Sequence, residues 1–195
     1  MFERIVSVMA VALLLPSLVS AADAERGAVL FDTCVGCHGS ESYDNAYPTY
    51  KVPKLGGQNA EYLATALAAY KSGERKHPTM VAQAASFDAE DMQDIAAYLA
   101  GKAEFQGSGE PVGEAPAAAA TCVACHGPAG KSIAGIYPNL AGQHESYLNQ
   151  AISAYKSGTR SNIQMMPLSQ ILTDEDIAAI SAFYAAQEGL TTFQP

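Results

Sequence analysis

Two copies of a Cys-x-x-Cys-His motif hold the most reactive side chains of this 195-residue sequence. The copies lie 88 residues apart and comprise Cys34, Cys37 and His38 in the first, and Cys122, Cys125 and His126 in the second. The pattern is typical of haem c attachment, in which two thiols form thioethers with the vinyl groups and the adjacent imidazole binds the iron. The sequence therefore predicts two covalently bound haem c groups.

Four cysteines can also serve other chemistry. Zinc normally takes its four ligands from two paired Cys-x-x-Cys arms, which would leave both histidines unexplained. A thioredoxin-like dithiol requires a strand before the motif, and no strand pattern precedes either copy. Two disulfides would be ordinary in an exported chain, but two haem attachments use all four cysteines of the sequence. We therefore favour haem over zinc, a redox dithiol or disulfides.

The sixth iron ligand separates an electron carrier from a catalyst, and methionine is the candidate residue. Met80 and Met165 occupy equivalent repeat positions, eight residues before the predicted N-cap of the last helix in each half. A neutral, soft thioether favours ferrous iron and raises the potential, which suits a carrier. The predicted axial ligands are His38 and Met80 at the first site, and His126 and Met165 at the second, with Met166 as the alternative to Met165.

The remaining methionine and histidines are predicted to have no ligand role. Met92 aligns with Ile177 on an apolar helical stripe, so we expect it in the core. His77 has Asn162 at the equivalent position, which favours an exposed loop residue over a ligand. His144 likewise lacks a histidine counterpart, and the same prediction holds for it.

The motifs belong to a tandem repeat of a unit of roughly 80 residues. Apolar residues at helical spacing predict a helix over 58–72 that ends at Gly73, with a counterpart that ends at Gly158. Asp88 and Thr173 are the predicted N-caps of the last helix of each unit. Because no run of alternating residues indicates a sheet, the predicted fold class is all-α.

Segment composition divides the chain into four parts. Residues 1–21 have a short apolar run followed by small residues, the pattern of a cleaved secretory signal peptide, so we expect export to the periplasm. Residues 22–105 form the first predicted domain and 117–195 the second. The segment between them, 106–116, is rich in Gly, Pro and Glu and is predicted to be a linker.

The charge balance restricts the class of partner. The formal net charge of −9 argues against nucleic acid or an anionic membrane surface as the main partner. Haem propionates would add further negative charge. Docking to a redox partner is therefore expected to use an apolar patch or a basic surface on that partner.

Several segments together resemble the dihaem cytochrome c4 family. They are the double Cys-x-x-Cys-His motif, the Pro-Lys/Asn-Leu-x-Gly-Gln and Tyr-Lys-Ser-Gly-x-Arg segments, and a methionine before an Asp- or Thr-capped helix. The resemblance implies two class I cytochrome c domains related by a pseudo-twofold axis, His/Met ligation of each iron, and a role in periplasmic respiration. It also implies that the carbonyls of Pro53 and Pro138 accept the Nδ1 hydrogens of His38 and His126.

Two segments depart from the family pattern. The loop 39–52, with Tyr43, Tyr47 and Tyr50, lacks the Gly- and Asn-rich composition usual after the first haem motif. Before the second motif, residues 114–120 lack the glycine and aromatic residue that would pack an N-terminal helix against the last helix. We therefore expect the N-terminal helix of the second unit to be short or weakly packed.

The predicted function is single-electron transfer without substrate turnover. The partners implied by the resemblance are a quinol-oxidising cytochrome complex and a terminal oxidase, and we expect a monomer, with peripheral membrane association as an option. One alternative is the cytochrome subunit of a periplasmic dehydrogenase. A dihaem peroxidase is a further alternative, but it would require a displaceable ligand and a nearby base, and no histidine is matched across the repeats for that role.

Overall fold

The computed structural model of the chain describes residues 21–194 and is mainly helical. The predicted signal peptide, 1–21, lies outside the described residues except for Ala21. The helices of the first unit are α1 (Ala24–Phe31), α2 (Val35–His38), α3 (Ala60–Ser72), α4 (Pro78–Ala84) and α5 (Ala89–Lys102). Those of the second unit are α6 (Val123–His126), α7 (Glu145–Ser157), α8 (Met165–Gln170) and α9 (Asp174–Ala185). Within the described range, no helix is long and apolar enough to cross a membrane.

In the first unit, α5 packs against both α1 and α3. A Cβ atom added to Gly27 of α1 would lie 2.0 Å from the carbonyl oxygen of Asp94, so the glycine permits the close crossing of α1 and α5. Arg26 reinforces this crossing through ion pairs with Asp91 and Asp94. Met92 is buried in the core beside these helices, which confirms its predicted structural role.

The second unit is built on α7 and α9, and residues 106–194 contain no equivalent of α1. Before its motif the structure has only a three-residue 3-10 turn, Ala117–Ala119, which confirms the predicted shortening of the N-terminal helix. The linker packs against the end of α9 instead: Val112 and Gln187 exchange two hydrogen bonds, of 2.7 and 3.0 Å.

A β-hairpin in the loop 39–52 is the one sheet among residues 21–194, and the sequence did not indicate it. Strands β1 (Asp44–Ala46) and β2 (Thr49–Lys51) pair antiparallel, with Asn45 opposite Tyr50. Three residues per strand are too few for alternation to be recognised. The expectation that no strand would be present was therefore wrong at this loop, although the fold remains predominantly helical.

Equivalent residues of the two units contact each other across a pseudo-twofold axis. The side-chain amide of Gln58 exchanges two hydrogen bonds, 3.0 and 2.8 Å, with the backbone of Asn139. Its counterpart Gln143 exchanges two, 3.0 and 2.9 Å, with the backbone of Lys54. Arg75 and Arg160, which also correspond in the repeat, form an antiparallel β-bridge. A residue that meets its own counterpart in this way lies on the symmetry axis.

The C-terminal segment returns from the second unit to the first. Thr191 and Gly56 form a β-bridge through two backbone hydrogen bonds of 3.0 Å. Two residues further on, Phe193 is buried against Phe31 and Tyr98, with ring centroids 4.9 and 5.5 Å away. The last residues of the chain therefore contribute to the core of the first unit.

Candidate functional site

Each Cys-x-x-Cys-His motif lies on a short helical turn. Cys34 ends a 3-10 turn that continues into α2, and Cys122 immediately precedes α6. Residues three and four positions apart share one face of a helix. Both cysteines and the histidine of each motif therefore point to the same side. All four cysteines are free and partly buried, and burial raises the pKa of the Cys34 and Cys122 thiols.

Both motifs open onto one continuous cavity of about 650 Å³ between the units. Its lining includes every predicted attachment residue and axial ligand, namely Cys34, Cys37, His38, Met80, Cys122, Cys125, His126 and Met165. The structure thus brings all the predicted site residues together on the walls of a single space. Leu63, Leu67, Leu148 and Ile152 of α3 and α7 add apolar wall, which suits a large planar hydrophobic group.

The two motif histidines are buried and share one arrangement. His38 Nδ1 lies 3.1 Å from the carbonyl oxygen of Pro53, and His126 Nδ1 lies 2.9 Å from that of Pro138. A carbonyl only accepts, so Nδ1 carries the hydrogen and Nε2 keeps the lone pair that a metal requires. Burial lowers the pKa of both imidazoles and favours the neutral form. The proline carbonyl contacts implied by the family resemblance are confirmed.

The candidate methionines lie at the start of two short equivalent helices. Met80 is in the first turn of α4, and Met165 is the first residue of α8. Met166 is not among the residues that line the cavity, and its sulfur accepts a hydrogen bond from Ser161 Oγ at 3.7 Å. This geometry favours Met165 over Met166, in agreement with the repeat register.

His77 and Asn162, at equivalent repeat positions, accept backbone hydrogen bonds at the start of the two methionine helices: His77 is the N-cap of α4, and Asn162 lies two residues before the N-cap of α8, Gln164. The Met80 backbone N–H donates to His77 Nδ1 at 3.3 Å, and that of Met165 donates to Asn162 Oδ1 at 3.0 Å. His77 is half-buried and lines the cavity, so its prediction as an exposed loop residue was wrong. An imidazole acceptor can replace an amide oxygen as a helix cap. His144 is also half-buried, at the N-cap position of α7, rather than exposed.

Two buried arginines and a tyrosine form a cluster at the unit interface. Arg75 and Arg160 each donate from Nη2 to the hydroxyl of Tyr62, at 3.0 and 3.1 Å. Burial by itself raises the pKa of this phenol, but the two guanidinium charges and their hydrogen bonds lower it to about 8. Neither arginine forms an ion pair with a carboxylate of residues 21–194. This cluster was not predicted from the sequence, although an arginine repeated in register was a usable signal.

The lining also contains buried polar atoms without a partner in the described part of the chain. They are Arg160 Nε, Ser181 Oγ and the Tyr184 hydroxyl. Uncompensated arginines and orphaned donors fit a bound group that carries carboxylates. Free thiols, neutral imidazoles and thioethers fit thioether-linked iron porphyrin. When bound, each haem supplies an iron that exchanges one electron. The protein side chains would attach it, ligate it and neutralise its carboxylates.

Comparisons with known proteins agree with this site. The cytochrome c family profile matches two stretches of the chain, residues 24–102 and 113–185. Cytochrome c4 of Pseudomonas aeruginosa is 31% identical over 180 residues, which cover 84% of this chain and 88% of that protein. A thiosulfate dehydrogenase electron acceptor of Stutzerimonas stutzeri is 32% identical over 169 residues, 78% of this chain and 77% of that one.

Solved structures show the same likeness. The structure of Acidithiobacillus ferrooxidans cytochrome c4 superposes with a TM-score of 0.65 at 29% identity, and covers 80% of this chain and 99% of that one. Two matched domains, each with its own Cys-x-x-Cys-His turn on the cavity wall, fit two covalently bound haem c groups, one in each unit.

Proposed function

Because this chain belongs to the cytochrome c family, as a dihaem member of the cytochrome c4 type, we propose that it is a periplasmic electron carrier in a respiratory chain. In this proposal it accepts electrons from a quinol-oxidising cytochrome complex and passes them to a terminal oxidase. The observation that carries the proposal is the equivalence of the two sites. Each places a buried histidine and a methionine on the wall of the cavity that holds its Cys-x-x-Cys-His turn.

This donor set supports electron transfer rather than catalysis. His38 and Met80 would hold one iron and His126 and Met165 the other, so that protein side chains would supply the ligands on both sides of each haem. No position is left for a substrate, so we propose no substrate turnover. Apolar walls and a sulfur ligand also stabilise the ferrous state, which suits a carrier that must be readily reduced.

The surface around α8 supports docking at the second unit. Ile163 and Ile171 are 91% and 74% exposed, and Leu168, at 37%, also lines the cavity. Leu168 lies in α8 and Ile171, three residues later, is the C-cap residue of that helix. The equivalent positions of the first unit hold Pro78, Gln83 and Ser86. We call Ile163, Leu168 and Ile171 the α8 face, and we propose that a redox partner docks there.

Charge complementarity indicates the chemistry of that partner. Asp174 and Glu175, at the start of α9, follow the α8 face directly and are exposed. Lys156 is paired with Asp174 at 3.1 Å. With the net charge of −9, this favours a partner whose redox centre is surrounded by an apolar patch and basic residues. The proposed complex contains the monomer, bound at the periplasmic side of the membrane.

A second candidate function is to accept electrons from a periplasmic dehydrogenase. The relative from Stutzerimonas stutzeri is named as the electron acceptor of thiosulfate dehydrogenase, and its identity to this chain matches that of cytochrome c4. Docking at the α8 face would serve either donor, so the two functions differ only in the partner.

Reduction kinetics distinguish the two candidates. The protein, produced with haem maturation, is mixed in its oxidised form either with quinol and the purified cytochrome complex or with thiosulfate and its dehydrogenase. A respiratory carrier is reduced rapidly in the first mixture and at least tenfold more slowly in the second. The reverse order would assign the dehydrogenase role. Turnover of peroxide far faster than by free haem would overturn both and indicate a peroxidase.

A further inference from the structure

The two methionine helices are capped by different residue types, and only one of the caps contacts another element. Asn162 accepts hydrogen bonds from the backbone N–H groups of Gln164 and Met165, 2.9 and 3.0 Å away, so this cap is local. His77 accepts from the Met80 backbone through Nδ1, while its Nε2 lies 3.1 Å from Asn45 Oδ1 on β1 of the hairpin.

The hydrogen-bond directions from Asn45 through His77 to Met80 are mutually consistent. Asn45 Nδ2 donates to the Pro48 carbonyl oxygen at 2.6 Å, which fixes the amide so that Oδ1 faces His77. Oδ1 only accepts, so the imidazole hydrogen lies on Nε2. Nδ1 is then free of hydrogen, as an acceptor for the Met80 N–H must be. One tautomer of His77 satisfies both contacts.

The hairpin is in turn held by the second unit. The backbone N–H of Lys51 on β2 donates to Ser146 Oγ of α7 at 3.0 Å. The Tyr50 ring lies between those of His77 and Tyr147, with centroids 6.4 Å from each. A continuous set of contacts therefore joins α7 of the second unit to the first turn of α4.

We propose that Asn45 and His77 are positioning residues for Met80, and that the hairpin couples the position of Met80 to α7 of the second unit. The inference rests on the assignment of Met80 as an axial ligand.

Within residues 21–194, the second site has no equivalent of the hairpin connection, since the Asn162 side chain bonds only within its own loop. The Arg75–Arg160 bridge and the hydrogen bond from Ser161 N–H to the Glu74 carbonyl oxygen, 2.7 Å, join the loops of both sites to the opposite unit alike. The hairpin therefore couples displacement of the methionine by an external ligand to the other unit at the first site alone.

The test measures how readily imidazole displaces methionine from each ferric site at one fixed pH. Loss of the sulfur-to-iron absorption band gives the binding curves, and proton NMR of the methionine methyl groups separates the two sites. The net free energy of one hydrogen bond changes an equilibrium constant by about fivefold. We expect Asn45→Ala and His77→Ala to tighten imidazole binding about fivefold or more at the first site only, and Ser146→Ala to do so by about twofold.

Matched variants separate capping from the hairpin connection. His77→Asn reproduces the cap of the second site but is too short to reach Asn45, so we expect it to behave like Asn45→Ala rather than like the wild type. Asn162→Ala should tighten binding at the second site only. Equal changes at both sites, or none in Asn45→Ala and His77→Ala, would overturn the proposal. If Met80→Ala keeps the full band, the ligand assignment itself fails.

Discussion

Arg75 and Arg160 meet across the pseudo-twofold axis, both buried and with no ion-paired carboxylate in the described part of the chain. Two buried like charges are unfavourable unless they are compensated. The Tyr62 hydroxyl, which accepts a hydrogen bond from each, supplies only part of that compensation. Arg160 Nε still has no partner among the described residues, and haem carboxylates would fit there. The arginine pair would then link haem binding to the association of the two units.

Removal of the Tyr62 hydroxyl should destabilise the protein. Tyr62→Phe leaves two buried guanidinium donors without an acceptor, which costs about 1–3 kcal/mol of unfolding free energy. Among residues 21–194 the hydroxyl of its repeat counterpart, Tyr147, has no hydrogen-bond partner, so Tyr147→Phe should change stability by less than about 0.5 kcal/mol. Denaturant unfolding of both holoproteins measures the difference. Equal losses in the two variants would mean that the arginines do not depend on Tyr62.

The reciprocal glutamines should contribute equally to the association of the units. Gln58→Ala and Gln143→Ala each remove two hydrogen bonds to the opposite unit and leave buried backbone groups unpaired, so each should cost about 1–3 kcal/mol. Gln106→Ala, at an exposed linker position, is the control and should be near neutral. Thermal unfolding is the measurement. A large loss for one glutamine only would contradict the pseudo-twofold arrangement.

Substitution of Gly27 should loosen the crossing of α1 and α5. In Gly27→Ala the new methyl group would overlap the Asp94 carbonyl, so we expect a loss of about 3 kcal/mol from overpacking. Gly36 has open space around its Cβ position, and Ala124 replaces it in the second motif. Gly36→Ala should therefore be neutral or slightly stabilising. Calorimetry of the two variants measures their melting temperatures. An undiminished melting temperature in Gly27→Ala would mean that the close crossing of α1 and α5 does not depend on the glycine.

The α8 face should control the rate of exchange with a protein partner. In the double variant Ile163→Ser/Ile171→Ser, lost apolar burial should slow reduction by the cytochrome complex by roughly tenfold. Exchange with hexacyanoferrate, which is small and needs no apolar surface, should be unchanged. Val29→Ser, at a residue 75% exposed on α1, is the matched control. Stopped-flow rates that fall equally in both variants would place docking elsewhere.

Local signals in the sequence were sufficient for the longer helices α3, α5, α7 and α9, whereas the short methionine helices α4 and α8 were not predicted. Gly73 and Gly158 end α3 and α7 with φ of 82° and 74°, as predicted from their position after an apolar stripe. Asp88 and Thr173 form the predicted N-caps, each completed as a capping box by an aspartate three residues later. These features depend on residues close in sequence, and each of them occurs at the equivalent position of the other unit.

Contacts between distant segments could not be predicted in the same way. Phe193 packs against Phe31 from more than a hundred residues away, and nothing in its neighbours indicates that partner. His77 looked like a loop residue because its cap function has no helical period, and its bond to Asn45 depends on a hairpin of three-residue strands. Arg75 and Arg160 could be recognised as a repeated residue. Only the fold shows that both are buried without a carboxylate partner among the described residues.

The absorption spectrum of the oxidised holoprotein reports methionine ligation at both sites through its sulfur-to-iron band. If Met80 and Met165 ligate the two irons, Met80→Ala and Met165→Ala each remove about half of this band, while Met166→Ala leaves it unchanged. A full band in either of the first two variants, or a halved band in Met166→Ala, would contradict the assignment of the two His/Met sites.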